Sequence, residues 1–336
     1  MSSKLTVLVT GANGFVGSNV LKSLSQNPSI QPIAACRNRH KIPINFTGNV
    51  REGDLTDPAY TEMLVRNVDV ICHCAAWTAL WNHEKASHKY FYEPTRKLLE
   101  TAKRHGVKKV IFPSTVSANP AGSGSPNSPG KMVSFWPHLN NVIRIENLLK
   151  EMSDDQFQTL VMRLGLFIGE NYSLGLLPIL LPRLKTHLVP WINHGKTHLP
   201  LIDGRDIGRA FAKASALNHP PNNFDIYTIV GKTQPSFSEV IQFIHDEFGY
   251  PKPHFNVGFS VAYAFAWLME KLDVMVPWEP LVTRSIVHLL EETYATNDKA
   301  HKELGYTPQY DWKDSMSKQI MDIQRSTTRM SMTKSL

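Results

Sequence analysis

The sequence has few of the features that mark secreted, metal-binding or membrane-spanning proteins. Its 336 residues include only three cysteines, Cys36, Cys72 and Cys74, and their spacing fits neither a metal site nor a redox pair. We therefore expect a reducing, cytoplasmic environment. No apolar run reaches the roughly 18 residues of a membrane span. The first residues lead directly into an apolar run, without the pattern of a signal peptide.

The net charge of +7 comes without a block of basic residues. This pattern argues against nucleic-acid binding and is compatible with small anionic ligands. A metal site is not expected either. Of His187, His194 and His198 only the last two are four residues apart, with Gly195 between them, and no cysteine or acidic residue joins them before Asp203.

The longest apolar stretch, residues 257–269, is interrupted by Ser260. It permits two interpretations: a buried helix, or an amphipathic helix that makes peripheral contact with a membrane. The buried helix is the favoured interpretation.

Residues 5–17 carry the strongest functional pattern. An apolar run predicts a β-strand, and three glycines follow it at the start of a helical pattern. In a dinucleotide-binding turn the first glycine allows the tight turn, the second the approach of a pyrophosphate, and the third close packing of the helix. The alternative is an ordinary glycine-rich turn. The cofactor contacts predicted here are Gly11, Asn13, Gly14, Phe15, Val16 and Gly17.

The end of the second predicted strand, residues 30–36, indicates which dinucleotide binds. Arg37 stands there, about twenty residues beyond Gly17, where an acidic residue would bind the ribose 2′-hydroxyl of NAD(H). Arginine instead accommodates a 2′-phosphate. The sequence therefore favours NADP(H) over NAD(H), with a solvated basic loop as the alternative.

Two later strand ends supply further cofactor candidates. Asp54 and Leu55 follow a short third strand, and Asp54 either binds the adenine amino group or, like Asp57, caps the next helix. Ala75 and Ala76 end the fourth strand, where small residues leave space for a dinucleotide.

Strands and helices alternate along the chain, which predicts an α/β fold. The succession of motifs resembles the extended (atypical) short-chain dehydrogenase/reductases, of the NAD-dependent epimerase/dehydratase type. The long C-terminal part is most similar to the branch of 3β-hydroxysteroid dehydrogenases and dihydroflavonol reductases. The motifs that carry the resemblance are Thr10-Gly-x-x-Gly-x-x-Gly17, Gly53-Asp54-Leu55-Thr56-Asp57, His73-x-Ala75-Ala76, Val110-Ile-Phe-Pro-Ser-Thr115 and Arg163-Leu-Gly-Leu-Phe-Ile-Gly169.

The resemblance implies a Rossmann-type, doubly wound parallel sheet with a smaller, mostly helical C-terminal lobe that covers the substrate. We expect the NADP(H)-binding domain in residues 1–170 plus about 200–231, and the substrate lobe in about 171–199 plus 232–325. Residues 326–336 read as a frayed tail. The resemblance also implies a possible homodimer through the helices near residues 90–105 and 138–152.

The family resemblance further implies a catalytic Ser or Thr and a Tyr-x-x-x-Lys helix, and here the sequence departs from the pattern. Thr115 occupies the hydroxyl position, with Ser114 beside it. No tyrosine occurs between Tyr92 and Tyr172. Alignment on Glu146 places His138 in the tyrosine position and Val142 in the lysine position. Imidazole titrates near neutrality, so His138 is a candidate proton donor; alternatively it merely begins a helix.

Apolar residues near the strand ends line either a substrate pocket or the core. In the first case the substrate is bulky and apolar, sterol-like or flavonoid-like. Two functions compete: an NADP(H)-dependent oxidoreductase with a non-standard proton donor, and a cofactor-binding sensor or partner-binding protein that has lost hydride transfer. The candidate lining residues are Trp77, Trp81, Phe135, Trp136, Phe167 and Trp191, with Leu174 and Leu177.

Overall fold

The computed structural model describes residues 4–118, 130–218, 220–273, 280, 282–291 and 295–334, with side chains as far as residue 326. The chain divides into two compact units. Unit 1 comprises Met1–Leu164, Arg205–Ile229 and Ala295–Thr307. Unit 2 comprises Gly165–Gly204, Val230–Tyr294 and Pro308–Leu336.

A seven-stranded parallel sheet forms the centre of unit 1 and confirms the predicted Rossmann-type fold. The strands of the described chain are β1 Leu5–Thr10, β2 Ile30–Cys36, β3 Asn49–Glu52, β4 Val70–His73, β5 Lys109–Thr115, β6 Gln158–Leu164, β7 Leu166–Ile168, β8 Trp191–Ile192, β9 Leu201–Asp203, β10 Phe224–Ile229 and β11 Asn256–Val257. The sheet order is β10-β6-β5-β4-β1-β2-β3, and its paired strands all run parallel. The order reverses between β1 and β4, where ligands of such sheets bind beyond the strand ends.

Helices alternate with these strands and dominate the C-terminal part of the chain. Local signals explain several of their starts: the Asp57 side chain accepts a hydrogen bond from the N–H of Ala59, and Ser236 forms a capping box with Glu239. The helices are α1 Phe15–Ser25, α2 Pro58–Leu64, α3 Glu84–Ser87, α4 Glu93–Arg104, α5 Pro137–Met152, α6 Leu176–Leu184, α7 Gly204–Ala216, α8 Phe237–Phe248, α9 Phe259–Leu272, α10 Arg284–His288, α11 Asp298–Leu304 and α12 Trp312–Lys334.

Each unit has its own apolar core. In unit 1, buried residues of α4 and α5 such as Leu98 and Val142 pack against the sheet residues Ile71 and Phe112. In unit 2 the core joins α6, α8 and α12 through Leu181, Val240, Ile244, Met316 and Ile320. Separate cores of this kind are what two domains of ordinary size require.

The division of the chain differs from the prediction at residues 165–170, which belong to unit 2, and at residues 295–307, which belong to unit 1. Helix α11 lies against the edge strand β10, because Lys299 donates to the buried carboxylate of Asp225 at 2.6 Å. The hydroxyl of Tyr227 also donates to Glu303 at 3.0 Å. Through these contacts α11 covers part of the edge strand β10, which would otherwise be exposed to solvent.

Two predictions about apolar and terminal segments are changed by the structure. The favoured buried helix within residues 257–269 is wrong, because one face of α9 is exposed. Helix α12 continues to Lys334, through most of the segment expected to be frayed. Among the described residues, no helix has the length and apolar character needed to span a membrane.

Candidate functional site

The glycine turn after β1 leaves no room for side chains at two of its positions. Gly11 has a positive φ of 60°, and a Cβ added there would lie 2.7 Å from the backbone of Ala75. A Cβ on Gly17 would overlap the carbonyl group of Gly11. The turn, the first helical residues and the end of β4 therefore pack backbone against backbone. A dinucleotide pyrophosphate needs this close approach.

The N-terminus of α1 meets this turn without a side-chain cap. Gly14 is the N-cap residue, no side chain accepts a hydrogen bond from the first turn, and that turn contains no acidic residue. Asn13, Phe15 and Val16 are half-buried around it. An uncapped helix N-terminus presents amide donors and the positive end of the helix dipole, which suit a phosphate.

A buried hydrogen-bond chain connects the ends of β1 and β4. The Nδ1 of His73 lies 2.8 Å from the hydroxyl of Thr10, and its Nε2 lies 2.9 Å from the hydroxyl of Thr95 on α4. Thr10 also accepts the N–H of Ala75 at 3.1 Å. Burial lowers the pKa of His73 to about 4, so the ring is neutral at physiological pH. Sequence reasoning missed this network, although a polar residue within a buried strand was its visible signal.

Half-buried Ala75 and exposed Ala76 follow directly after β4. Because Ala75 is held by Thr10, the backbone at this strand end is positioned against the glycine turn. The predicted cofactor residues of β1, α1 and β4 are thus brought together in one place.

The end of β2 carries a small basic cluster, defined as Arg37, Arg39 and Lys41. All three side chains are exposed, and the segment turns through a short 3₁₀-helix, Arg39–Lys41. Asn38 orders this turn by accepting the N–H of His40 at 3.0 Å. The cluster is therefore presented to solvent at the strand end where a 2′-phosphate would lie.

Asp54 is exposed and engaged locally. Its Oδ1 accepts both the N–H and the hydroxyl of Thr56 at 2.8 Å, and these hydrogen bonds hold the pKa of Asp54 below its usual value. Leu55 packs against the core of unit 1. This is an Asx turn, and the cap of the next helix is Asp57 and not Asp54, so the adenine contact of Asp54 stays a prediction.

Ser114, at the end of β5, belongs to a buried ionic network. Its hydroxyl donates to Oε1 of Glu146 at 2.5 Å. Glu146 also forms a two-point ion pair with Arg163, at 3.1 and 2.7 Å, and accepts the N–H of Gly130 at 3.2 Å. Ser114 thus fixes α5 to the sheet, and its predicted catalytic role has no geometric support here.

Thr115, one residue on, is half-buried, and its oxygen accepts the N–H of Ser117 at 3.2 Å. This contact uses a lone pair and leaves the hydroxyl proton able to donate. Thr115 is accordingly the better placed of the two hydroxyls to bind a substrate oxygen.

His138 lies in the first turn of α5, which agrees with the alternative that it begins a helix. Its Nδ1 is buried without a hydrogen-bond partner among the described residues, and its ring lies 5.0 Å from that of Phe91. Burial lowers the pKa of His138 to about 4. The ring is neutral near pH 7, so it carries one N–H and lacks the second proton of an imidazolium. Val142, one turn on, is buried in the apolar core of unit 1.

Three further contacts place the start of α5. The Trp136 indole donates to the carbonyl of Ala79 at 2.9 Å, and Asn141 donates to Ser87 at 2.9 Å. Phe91 reaches His138 from a π-helical turn, His88–Tyr92, which joins α3 to α4. Such turns are rare in proteins overall, but those that occur are often at functional sites. The sequence contained no signal for this one.

The candidate substrate residues are divided between the two units. In unit 1, Trp77, Trp81 and Phe135 are half-buried, whereas Trp136 is buried and acts in packing. In unit 2, Phe167 and Trp191 are half-buried and contact the rings of Tyr172 and Phe237. Leu177 belongs to the core of unit 2, and Leu174 is exposed.

Unit 2 also contains an open cleft of about 260 Å³. No predicted substrate residue lines it. In the part of the chain that the structure describes, no three His, Cys, Asp or Glu side chains lie close enough to hold a metal ion. The lining residues are Asn193, Lys196, Thr197, Phe259, Leu290 and Glu291.

The arrangement of unit 1 agrees with a comparison of sequences. The profile of the NAD dependent epimerase/dehydratase family matches residues 7–229. The chain belongs to this family. The match includes the glycine turn, the basic cluster and the first turns of α5, and it ends before α8.

Individual members of the family are distant from this chain. UDP-glucose 4-epimerase from Vibrio cholerae is 29% identical over 123 residues, which are 35% of this chain and 37% of that relative. The chain spans still less, 3%, of the large synthetases that it also matches. Among solved structures, gox2253 has a TM-score of 0.73 at 23% identity, and the match covers 96% of this chain and 98% of the gox2253 chain. UDP-glucuronic acid 4-epimerase from Bacillus cereus, in complex with UDP-glucuronic acid and NAD, has a TM-score of 0.70 at 18% identity, covering 96% and 99%. These structures share the family fold with the chain.

Proposed function

We propose that this member of the family is an NADP(H)-dependent oxidoreductase that acts on a bulky, apolar hydroxyl or carbonyl compound. The observation that carries the proposal is the glycine turn. Gly11 and Gly17 stand where a Cβ would collide with backbone, beside an uncapped helix N-terminus. These features fit the pyrophosphate of a dinucleotide.

The preference for NADP(H) rests on the basic cluster. Three cations at the end of β2, with Asp54 engaged by Thr56, favour a 2′-phosphate over a free 2′-hydroxyl. Charge-assisted hydrogen bonds are stronger than neutral ones, so the difference in affinity should be about tenfold or more.

The proposed chemistry relies on hydrogen bonds in place of the Tyr-Lys pair. When bound, the nicotinamide supplies or accepts a hydride. Reduction of a carbonyl leaves negative charge on its oxygen, which the Thr115 hydroxyl would stabilise by donation. Neutral His138 offers one N–H and no titratable proton near pH 7. In this mechanism a water molecule gives the proton that completes the alcohol and is left as hydroxide.

The proposed substrate class follows from the half-buried aromatic residues of unit 1, Trp77, Trp81 and Phe135. These side chains are apolar and suit a sterol-like or flavonoid-like compound. Two of the similar proteins, UDP-glucose 4-epimerase and UDP-glucuronic acid 4-epimerase, are named for UDP-sugars, so UDP-glucose and UDP-glucuronic acid belong in the same assay.

The cofactor proposal is tested by titrating the protein with NADPH and with NADH and following cofactor fluorescence. We expect NADPH to bind about tenfold more tightly, and Arg37→Ser to remove most of this difference. Arg66→Ser, which removes another exposed arginine, is the matched control and should change nothing. Equal affinities in the wild type would contradict the proposal for the basic cluster.

The oxidoreductase proposal is tested by NADPH oxidation with sterol-like, flavonoid-like and simple aromatic carbonyls, and with the UDP-sugars. We expect turnover of an apolar carbonyl that falls strongly in Thr115→Ala. Thr228→Ala, a half-buried threonine of the edge strand β10, should keep wild-type activity. Equal rates in both variants would exclude Thr115 from the reaction.

The second candidate function is a cofactor-binding sensor or partner-binding protein without hydride transfer. The burial of Val142 in the apolar core favours it, because valine brings no positive charge to the position of the family lysine. The double variant His138→Tyr with Val142→Lys separates the two functions. Turnover only in this variant would identify a binding protein on an intact scaffold.

A further inference from the structure

Helix α9 of unit 2 exposes a continuous line of large apolar side chains. Val261, Phe265, Leu268 and Leu272 are 63%, 49%, 45% and 38% exposed. Their spacing of four, three and four residues places them on one side of the helix. This line is called the α9 face below. Exposed apolar side chains are normal when scattered, but a contiguous patch marks an interaction surface.

The opposite side of α9 holds the helix on unit 2 with small residues and an ion pair. Ala262 and Ala266 are buried against Val287. Glu270 is buried and binds Arg284, at 2.7 Å to the guanidinium and 2.7 Å to the backbone N–H. The inner side of the helix thus combines these small residues with the partly buried Phe259 and Tyr263, whereas the four residues of the α9 face point outward.

Charge on the exposed part of α9 is low and positive. The acidic Glu270 is neutralised by Arg284, and Lys271 is exposed close to the α9 face. Trp267, 47% exposed, lies about 100° round the helix from Leu268, beyond Lys271, at the border of the exposed surface. A helix pair uses a narrow seam, whereas a helix lying in a lipid interface presents a broad apolar face with Trp and Lys at its border.

We propose that the α9 face docks the protein on the surface of an anionic lipid bilayer. The helix lies in the plane of the interface, with Phe265 and Leu268 among the acyl chains and Lys271 at the headgroups. The net charge of +7 favours approach to anionic lipid. This contact is peripheral, and it is independent of the proposed cofactor and substrate.

The proposal is tested by co-sedimentation with vesicles of equal parts phosphatidylcholine and phosphatidylglycerol, and with pure phosphatidylcholine. We expect the wild type to bind the mixed vesicles, and the double variant Phe265→Glu with Leu268→Glu to bind them at least about tenfold more weakly. Met321→Glu on α12 is the matched control, since Met321 and Leu268 are each 45% exposed. Absence of wild-type binding, or equal binding by the double variant, would overturn the proposal.

A second measurement identifies α9 itself and does not need a destabilising change. In vesicles that contain brominated lipid, wild-type tryptophan fluorescence should be quenched, and Trp267→Phe should lose most of this quenching. Unchanged quenching would place the contact elsewhere. Sedimentation velocity tests the alternative that a second copy of the chain covers the α9 face. This alternative would be correct if the wild type is a dimer that does not bind lipid and the double variant is a monomer. NADPH affinity of the same variants reports separately on the proposed function.

Discussion

The neutral imidazole of His138, whose Nδ1 has no hydrogen-bond partner in the described part of the chain, can be tested through stability as well as activity. Leucine has a similar volume and forms helices well, so His138→Leu fills the same space beside Phe91 without a buried nitrogen. Because an unsatisfied buried polar atom is costly, we expect the variant to be about 1 kcal/mol more stable than the wild type at pH 7.

The same variant should differ in its response to acid. The pKa of His138 is about 4 in the folded protein, against 6.5 when exposed. Below pH 6.5 the unfolded chain binds a proton that the folded chain does not, so stability falls as pH drops from about 6.5 towards 4. The full difference corresponds to about 3 kcal/mol, of which about 2 kcal/mol is reached at pH 5. His73 has an equally lowered pKa and contributes equally to both proteins.

The assay is urea unfolding of both proteins at pH 7 and pH 5. The wild type should lose about 2 kcal/mol more than His138→Leu between these values. Equal losses, or a His138 resonance that titrates near pH 6.5 by NMR, would refute the account of this site. In the active enzyme, a rate that is flat from about pH 6 to 8 is expected if His138 only donates a hydrogen bond. A rate that falls tenfold for each increase of one pH unit would instead identify the imidazolium as the acid.

Two further predictions concern the turn and the ionic network. Gly17→Ala should weaken NADPH binding by about tenfold or more, because the new Cβ forces α1 away from Gly11; Gly258→Ala, with nothing within 4 Å, is the control, and equal titration curves would contradict the steric account. Glu146→Gln should lower the free energy of unfolding by about 3 kcal/mol, because Arg163 remains buried without its anion. Ser114→Ala should lower the free energy of unfolding by only about 1 kcal/mol in the same urea titration. A larger loss in Ser114→Ala than in Glu146→Gln would show that Ser114, and not Glu146, is the main stabilising residue of the network.

Much of unit 1 was predictable because its signals are local. The apolar run of β1, the spacing of Gly11, Gly14 and Gly17, and the capping residues of α2 and α8 each act within a few neighbouring residues. The parallel order of the sheet follows from alternating strands and helices. The loss of the tyrosine and lysine positions is likewise visible in the sequence, because it is an absence of residue types.

Other features depend on contacts between residues far apart in the chain. The sequence could offer His138 as a proton donor but could not predict its pKa, which depends on burial beside Phe91, 47 positions away. Ser114 and Thr115 are adjacent hydroxyls, and only the approach of Glu146 separates a packing residue from one able to bind substrate.

The sequence by itself determined the α/β fold, the glycine turn and the departure from the Tyr-Lys pattern, because each follows from residue type and short-range spacing. Only the tertiary structure decided that one face of α9 is exposed, that residues 295–307 join unit 1, and that His138 is neutral. Burial and the pairing of distant charges set those properties, and neither can be read from composition or periodicity alone.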